Sequence, residues 1–384
     1  MSRLRRLSTR NLIVLVVVVI ALATGSAALA IAVDGGGPVP RPAPLDQAIH
    51  DALSANAPEG VSARITFTNN LFPSGALAGQ AGSALMSGAS GRLWATNDGR
   101  GRIELQSDSG DVQIIWNQKT ISVYDASSNT VYRADLPAST DASTSDQGTP
   151  PSLAEIDSFL TNLGVHWALS DAQPTDVAGQ PAFGVTASPK HDGGLLGSLE
   201  LAWDATQGTP LRADIYAQGS GSPVLGIAVN DISYGPVSSA DVDVVPPDNA
   251  KVVDLTTGSQ PDTGSTPPVT GLDAVQAAAA FPVVAPDSLV GLPRKDVRLV
   301  GGETVLVLYG QGLGGIALVE RKADASGPGD QLSALPTVSL DGVSAHELAT
   351  QLGTVLEWQT NGTRIVLAAS MPAAAAEAAA RSVK

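Results

Sequence analysis

Polar and apolar positions alternate with period two from Arg102: Ile103 and Leu105 point one way, Arg102, Glu104 and Gln106 the other. That period predicts a half-buried strand. Residues 107–110 read as a turn, 111–116 as a second strand, 117–119 as another turn and 120–125 as a third strand, with the meander continuing through 129–133. Turns this short join antiparallel neighbours, so the sheet acquires one apolar face that something must cover. Ile103, Leu105, Ile114, Trp116, Ile121 and Val123 supply its stripes. They are read either as a closed core beneath a helix or as the lining of a ligand hollow.

A different period marks the helices. Leu45, Ala48, Ile49, Ala52 and Leu53 fall on one helical face and stop before Pro58 and Gly60. A second helix starts at Ser152 as N-cap, with Glu155 placed to close a capping box, apolar Leu153, Ile156, Phe159, Leu160 and Leu163, and Gly164 as stop. Leu153, Ile156, Phe159 and Leu160 make it the candidate lid over the sheet. Before it, 135–151 is rich in Ser, Thr, Asp and Pro, with too little apolar material to offset its ordering entropy, and reads as a flexible insertion. The Gly/Ala/Ser-rich segment from Gly75 to Gly91 is a candidate gate for a hollow.

Further strands are expected at 180–188, 198–203, 211–217 and 225–234, and Pro246-Pro247 marks the approaching end of this unit. A second unit opens with an Ala-rich helix at 273–281. Strands follow at 296–300, 304–309 and 316–321, and Asn361-Gly362 signals a hairpin between 356–359 and 364–368. Ser370 as N-cap and Pro372 at the first helical position introduce a final helix running to Arg381.

The amino-terminal pattern is different again. Residues 12–33 are apolar except for Thr24, Gly25 and Ser26, and at ~1.5 Å per residue they cover a hydrocarbon core of about 30 Å. Arg3, Arg5, Arg6 and Arg10 precede the run and Asp34 follows it, which orients an anchor with its carboxyl-terminal side outside. Ala28-Leu29-Ala30 offers the competing reading, a cleaved signal peptide; both readings export the rest. The expected order is a cytoplasmic tail at 1–11, an anchor in the cytoplasmic membrane at 12–33, a Gly/Pro linker at 34–44, a large domain at 45–255, a Thr/Gly/Ser/Pro linker at 256–270 and a smaller α+β domain at 271–384.

Composition narrows the chemistry. Among 384 residues there is no Cys, which excludes disulfides, thiolate metal sites and a lipid-modified cysteine. A net charge of −15, with no basic stripe beyond the first ten residues, opposes nucleic-acid binding. His50, His166, His191 and His346 stand in no metal-ligand spacing, and the commonest hydrolase and nucleotide motifs do not occur. Neither a metal nor a cofactor is expected, and no catalytic residue emerges. Gly310-Gln311-Gly312-Leu313-Gly314-Gly315 matches a dinucleotide-binding pattern, but Ile316 to Val319 continues as a strand where that motif needs a helix, so the glycines read as a hairpin loop. Asp241 and Asp243 read as a solvated pair at a strand end, and Asn361-Gly362-Thr363 as a turn rather than a glycosylation site.

Gly91-Arg92-Leu93-Trp94, Arg102-Ile103-Glu104-Leu105, Ile114 to Tyr132 with its Tyr124-Asp125, and Trp203-Asp204 leading to Gly208 and Pro210-Leu211-Arg212 together resemble the LolA-like superfamily. That group holds periplasmic lipoprotein carriers and the amino-terminal domain of RseB/MucB-type sigma-factor regulators, and this chain looks like a membrane-anchored actinobacterial type with an extra carboxyl-terminal domain. Over 45–255 the resemblance implies an α+β fold, an open antiparallel β half-barrel covered by helices, whose hollow takes a lipid or lipoprotein acyl chain. A tether and a second domain favour a fixed, non-catalytic receptor or envelope sensor over a diffusing carrier. The alternative is a regulator of a membrane signalling partner without bound lipid.

Overall fold

The computed structural model describes residues 37–71, 84–108, 110–136, 150–254, 269–323 and 335–383. The apolar run at 12–33, its flanking arginines, most of the 135–151 insertion, most of the 256–270 linker and residues 75–83 of the candidate gate lie outside them. Among the described residues no helix is long and apolar enough to cross a membrane.

Helix α1 (Leu45–Ser54) leads into β1 (Gly60–Asn69), α2 (Ala84–Ser87) and a meander of β2 (Ala89–Thr96), β3 (Gly101–Ser107), β4 (Gly110–Trp116), β5 (Thr120–Asp125) and β6 (Thr130–Asp135). After α3 (Leu153–Leu163) come β7 (Trp167–Leu169), β8 (Gln173–Val177), β9 (Gln180–Pro189), β10 (Leu196–Asp204), β11 (Pro210–Ala217), β12 (Leu225–Tyr234), α4 (Ser239–Val242) and β13 (Lys251–Asp254). These strands form one open thirteen-stranded sheet in the order β13-β6-β5-β4-β3-β2-β1-β12-β11-β10-β9-β7, with β8 also on β9. The molecule is therefore β-rich, with few helices and open sheets. The expected meander is present, and Ile103 and Leu105 are buried while Gln106 is exposed.

The proline pair at 246–247 does not end the pairing. β13 follows it and adds in parallel to β6, with Val253 opposite Tyr132, and Arg133 fastens it by an ion pair to Asp254 at 2.8 Å. Asp241 and Asp243 are not at a strand end. Asp241 lies in α4 and Asp243 caps it, bound to Arg100 at 2.6 Å, so the short helix is pinned across β2 and β3.

The second sheet comprises β14 (Val269–Thr270), β15 (Ser288–Leu289), β16 (Leu292–Val300), β17 (Thr304–Tyr309), β18 (Ile316–Lys322), β19 (Thr337–Leu340), β20 (Val343–Thr350), β21 (Gly353–Thr360) and β22 (Thr363–Ala369). Its order is β14-β16-β17-β18-β22-β21-β20-β19, with β15 on β16. Helices α5 (Leu272–Ala278) and α6 (Ala373–Arg381) bury Val275, Ala376, Ala379 and Ala380 on one face, against Leu318, Leu356, Ile365 and Leu367. The β21–β22 turn has φ of 50° at Asn361 and 78° at Gly362, the two left-handed residues that a tight hairpin demands. Ser370 does not cap α6. Pro372 occupies that position, while the Ser370 hydroxyl donates to Leu352 O at 2.7 Å and accepts from Leu195 N at 2.9 Å.

Candidate ligand-binding face

The register places Leu93, Ile103, Ile114, Val123, Tyr132 and Val253 side by side across β2, β3, β4, β5, β6 and β13. Side chains paired directly across strands share a face, so this is one continuous row. A parallel row runs Gly101, Trp116, Ile121 and Ala134. Gly101 has a steric reason: a Cβ there would stand 2.1 Å from Cζ2 of Trp116, so the indole lies over the neighbouring backbone only because no side chain intervenes.

Burial falls from Ile103 to Tyr132, while Leu93 and Val253 at the two ends of the row are half-buried. Ile103 and Ile114 are each 2% exposed, Val123 is half-buried and Tyr132 is 39% exposed. Four of the residues named from the sequence, Ile103, Leu105, Ile114 and Trp116, sit in a packed cluster with Ile65, Phe67, Val112 and Leu225, and Ile121 and Val123 pack at its margin. The cover over the buried end is not the helix expected there. α2 packs on β1, β3 and β4, with Ala84 fully buried, and Leu71 joins the same cluster. Thus residues 84–87 of the supposed gate form a helix, and Gly91 lies within β2, where a Cβ would meet Glu104 O at 2.1 Å.

Helix α3 has the expected capping box: Glu155 N donates to Ser152 Oγ, and Ser152 N to Glu155 Oε2 at 3.0 Å. It packs on α1. Ile156 is its buried residue and Leu160 is half-buried, while Leu153 and Phe159 remain 39% and 38% exposed. The sequence located the helix but could not say which surface it would meet, because amphipathicity fixes a face and not its partner.

The opposite face of the sheet mixes apolar residues such as Ile115 and the buried Val131 with polar contacts. Arg102 stacks over Trp94 at 5.1 Å, pairs with Glu104 and donates to Asp241 O at 3.2 Å. Further along, Glu200 and Asp214 are cross-strand partners, and Tyr216 donates to Glu200 at 3.2 Å. Burial holds the Asp214 carboxyl up at about 6, against the pull of Arg212. Gly226 makes room for it, since a Cβ there would stand 2.0 Å from Asp214 Oδ1. None of these groups forms a nucleophile–base pair, and no group of three or more metal-ligating side chains occurs among the described residues.

Sequence reasoning missed Tyr132, Ala134 and Val253. Their faces follow only from the strand register, and β13 pairs with a strand about 120 residues earlier in the chain.

No family model matches the chain, and no curated protein matches it. Solved structures do. The chain is similar to MucB in the Pseudomonas aeruginosa MucA/MucB complex, with 14% identity and a TM-score of 0.41 over 87% of this chain and 95% of that one. It is similar to a conserved protein from Thermus thermophilus, with 12% identity and a TM-score of 0.33 over 54% of this chain and 95% of that one. A Vibrio parahaemolyticus domain described as outer membrane lipoprotein-sorting matches with 10% identity and a TM-score of 0.23, over 52% of this chain and 96% of that one.

Proposed function

We propose that the chain is a non-catalytic binder of a lipid or lipoprotein acyl chain, acting outside the cytoplasmic membrane and held there by residues 12–33. The observation that carries this reading is the single apolar row passing from full burial at Ile114, through Val123, to exposure at Tyr132. An aliphatic chain laid along β5, β6 and β13 would cover Val123, Tyr132, Ile121 and Ala134 without opening the packed end. Burial of apolar surface contributes roughly 25 cal/mol per Å², and an aromatic residue at the mouth adds contact area at little entropic cost. Extraction of the protein purified from its native envelope, followed by mass spectrometry, should yield a stoichiometric acylated species. Recovery of protein with no lipid, together with failure to bind a fluorescent fatty acid in titration, would defeat this reading.

A second reading has its own observation. Four of the proposed lining residues are packed in one buried cluster, which supports the closed-core alternative for the β3–β4 half of the face. In that case the chain regulates a membrane signalling partner through protein contacts alone, and affinity capture from native membranes would recover the partner from lipid-free protein.

A further inference from the structure

The glycine-rich loop between β17 and β18 and the displaced Ser370 are the two sequence features that the binding face leaves unexplained. Both lie where the second domain meets the first. Gly314 N donates to Asp192 O at 2.6 Å, in the loop between β9 and β10. A Cβ on Gly312 would meet Asp192 Cβ and O at 3.0 Å, and one on Gly314 would meet Asp192 O at 3.2 Å. Two residues on, a Cβ at Gly194 would stand 2.6 Å from Ser370. These glycines let two backbones touch, which explains a phosphate-like glycine pattern that opens no helix.

The contacts continue as one hydrogen-bonded path. Leu195 N donates to Ser370 Oγ, which donates to Leu352 O, and the adjacent Gln351 donates from its backbone to Leu71 O at 2.9 Å and from its side chain to Asn70 O. Both ends are fixed within the first domain. Asn70 N bonds Val224 O at 2.7 Å and its side chain Pro223 O at 2.9 Å, while Leu195 O accepts from Gln218 N at 2.7 Å. The path therefore leaves the end of β1, crosses the second domain, and returns to the start of β10. In the sheet order β1-β12-β11-β10 it runs from the end of β1 to Leu195 just before β10, three interstrand steps, or roughly 14 Å at about 4.8 Å each.

We propose that the second domain is a brace: it spans one end of the first sheet from β1 to the β9–β10 loop and fixes the separation and curvature of the strands between. The two domains then move as one body, whatever occupies the apolar face.

The chain has no Cys, so an introduced pair carries the only thiols. Spin labels on Ser128→Cys in the first domain and Gln359→Cys in the second, both exposed positions, report the interdomain distance in the full chain by pulsed electron resonance. The brace gives one narrow distance. Gly314→Val, which drives a side chain into Asp192, should lose that narrow distance, as should the paired Gln351→Ala and Ser370→Ala substitutions, which remove side-chain links without adding bulk. The second variant decides the matter if the first fails to fold. A broad distribution in the unsubstituted background, or a narrow one retained in the variants that fold, overturns the brace.

Discussion

The hydroxyl of Tyr234 donates a 2.7 Å hydrogen bond to Oδ2 of Asp204, joining the last long strand of the first sheet to the β10–β11 turn. Asp204 is 1% exposed, and its other oxygen accepts from Thr206 N at 2.7 Å and Gln207 N at 2.8 Å. One buried carboxylate thus closes the turn and ties it to β12. Burial, and then the bond to Asp204, raise the Tyr234 pKa, so the phenol stays a donor. Tyr234→Phe leaves Oδ2 without this donor and should cost about 1.5 to 3 kcal/mol, the usual range for a hydrogen bond to a charged group. Urea unfolding at neutral pH measures it, and a loss below about 0.5 kcal/mol would show that Oδ2 finds another donor.

The second domain carries a pH-sensitive group. Glu320 is fully buried on β18, accepts from Val284 N at 3.0 Å through Oε2, and has no protein partner at Oε1. Burial pushes its carboxyl from 4.5 to about 7, with the Val284 bond opposing. A carboxyl whose folded pKa is raised binds more protons folded than unfolded between those values. Its stabilisation is complete below about 4.5 and is lost as pH rises through about 7. The loss between pH 5 and pH 8 should be on the order of 3 kcal/mol, and Glu320→Gln should flatten that part of the profile. Asp214, raised to about 6, adds a slope of the same sign in the first domain. Thermal unfolding at pH 5 and pH 8 tests this, and equal slopes in wild type and Glu320→Gln would refute it.

Legibility followed locality. The β3–β6 meander, the capping box and the Asn361-Gly362 hairpin were readable because period, cap and turn are all written within a few residues. The two-residue β14 and β15 hold too few positions for a period, and the parallel pairing of β13 with β6 is a long-range choice. Ser370 illustrates a competition: a serine two residues before Pro372 reads as a cap, yet its hydroxyl satisfies Leu195 of the other domain. For the candidate face, the six aliphatic and aromatic positions were nameable from alternation alone. The burial gradient along them was not, because it depends on where α2 lands and on which strand lies beyond β5.

The capping box of α3 offers a control on helix energetics. Ser152→Ala removes the acceptor for Glu155 N and should destabilise by about 1 kcal/mol. Since α3 packs on α1, hydrogen exchange should rise first in those two helices. Faster exchange confined to β3 and β4 would instead place α3 over the sheet.

The proposed binding face is tested by substituting along its row. Ile114 and Val123 are cross-strand partners on one face, but Ile114 is 2% exposed whereas Val123 lies at the edge of the cluster. An aspartate at 114 would put an unpaired carboxylate into a packed interior at a cost of several kcal/mol, so Ile114→Asp should unfold the first domain. An aspartate at 123 can reach water past Tyr132, so Val123→Asp should keep the native circular dichroism spectrum. If an acyl chain lies along β5 and β6, that same carboxylate would be trapped against methylenes, and fluorescent fatty acid affinity should fall at least tenfold, equivalent to about 1.4 kcal/mol. Tyr132→Ser, which removes the exposed ring without adding charge, should weaken binding in the same direction by a smaller factor. A folded Val123→Asp that binds the probe as tightly as wild type would remove the acyl-chain reading, and a folded, stable Ile114→Asp would show that the packed end is itself open.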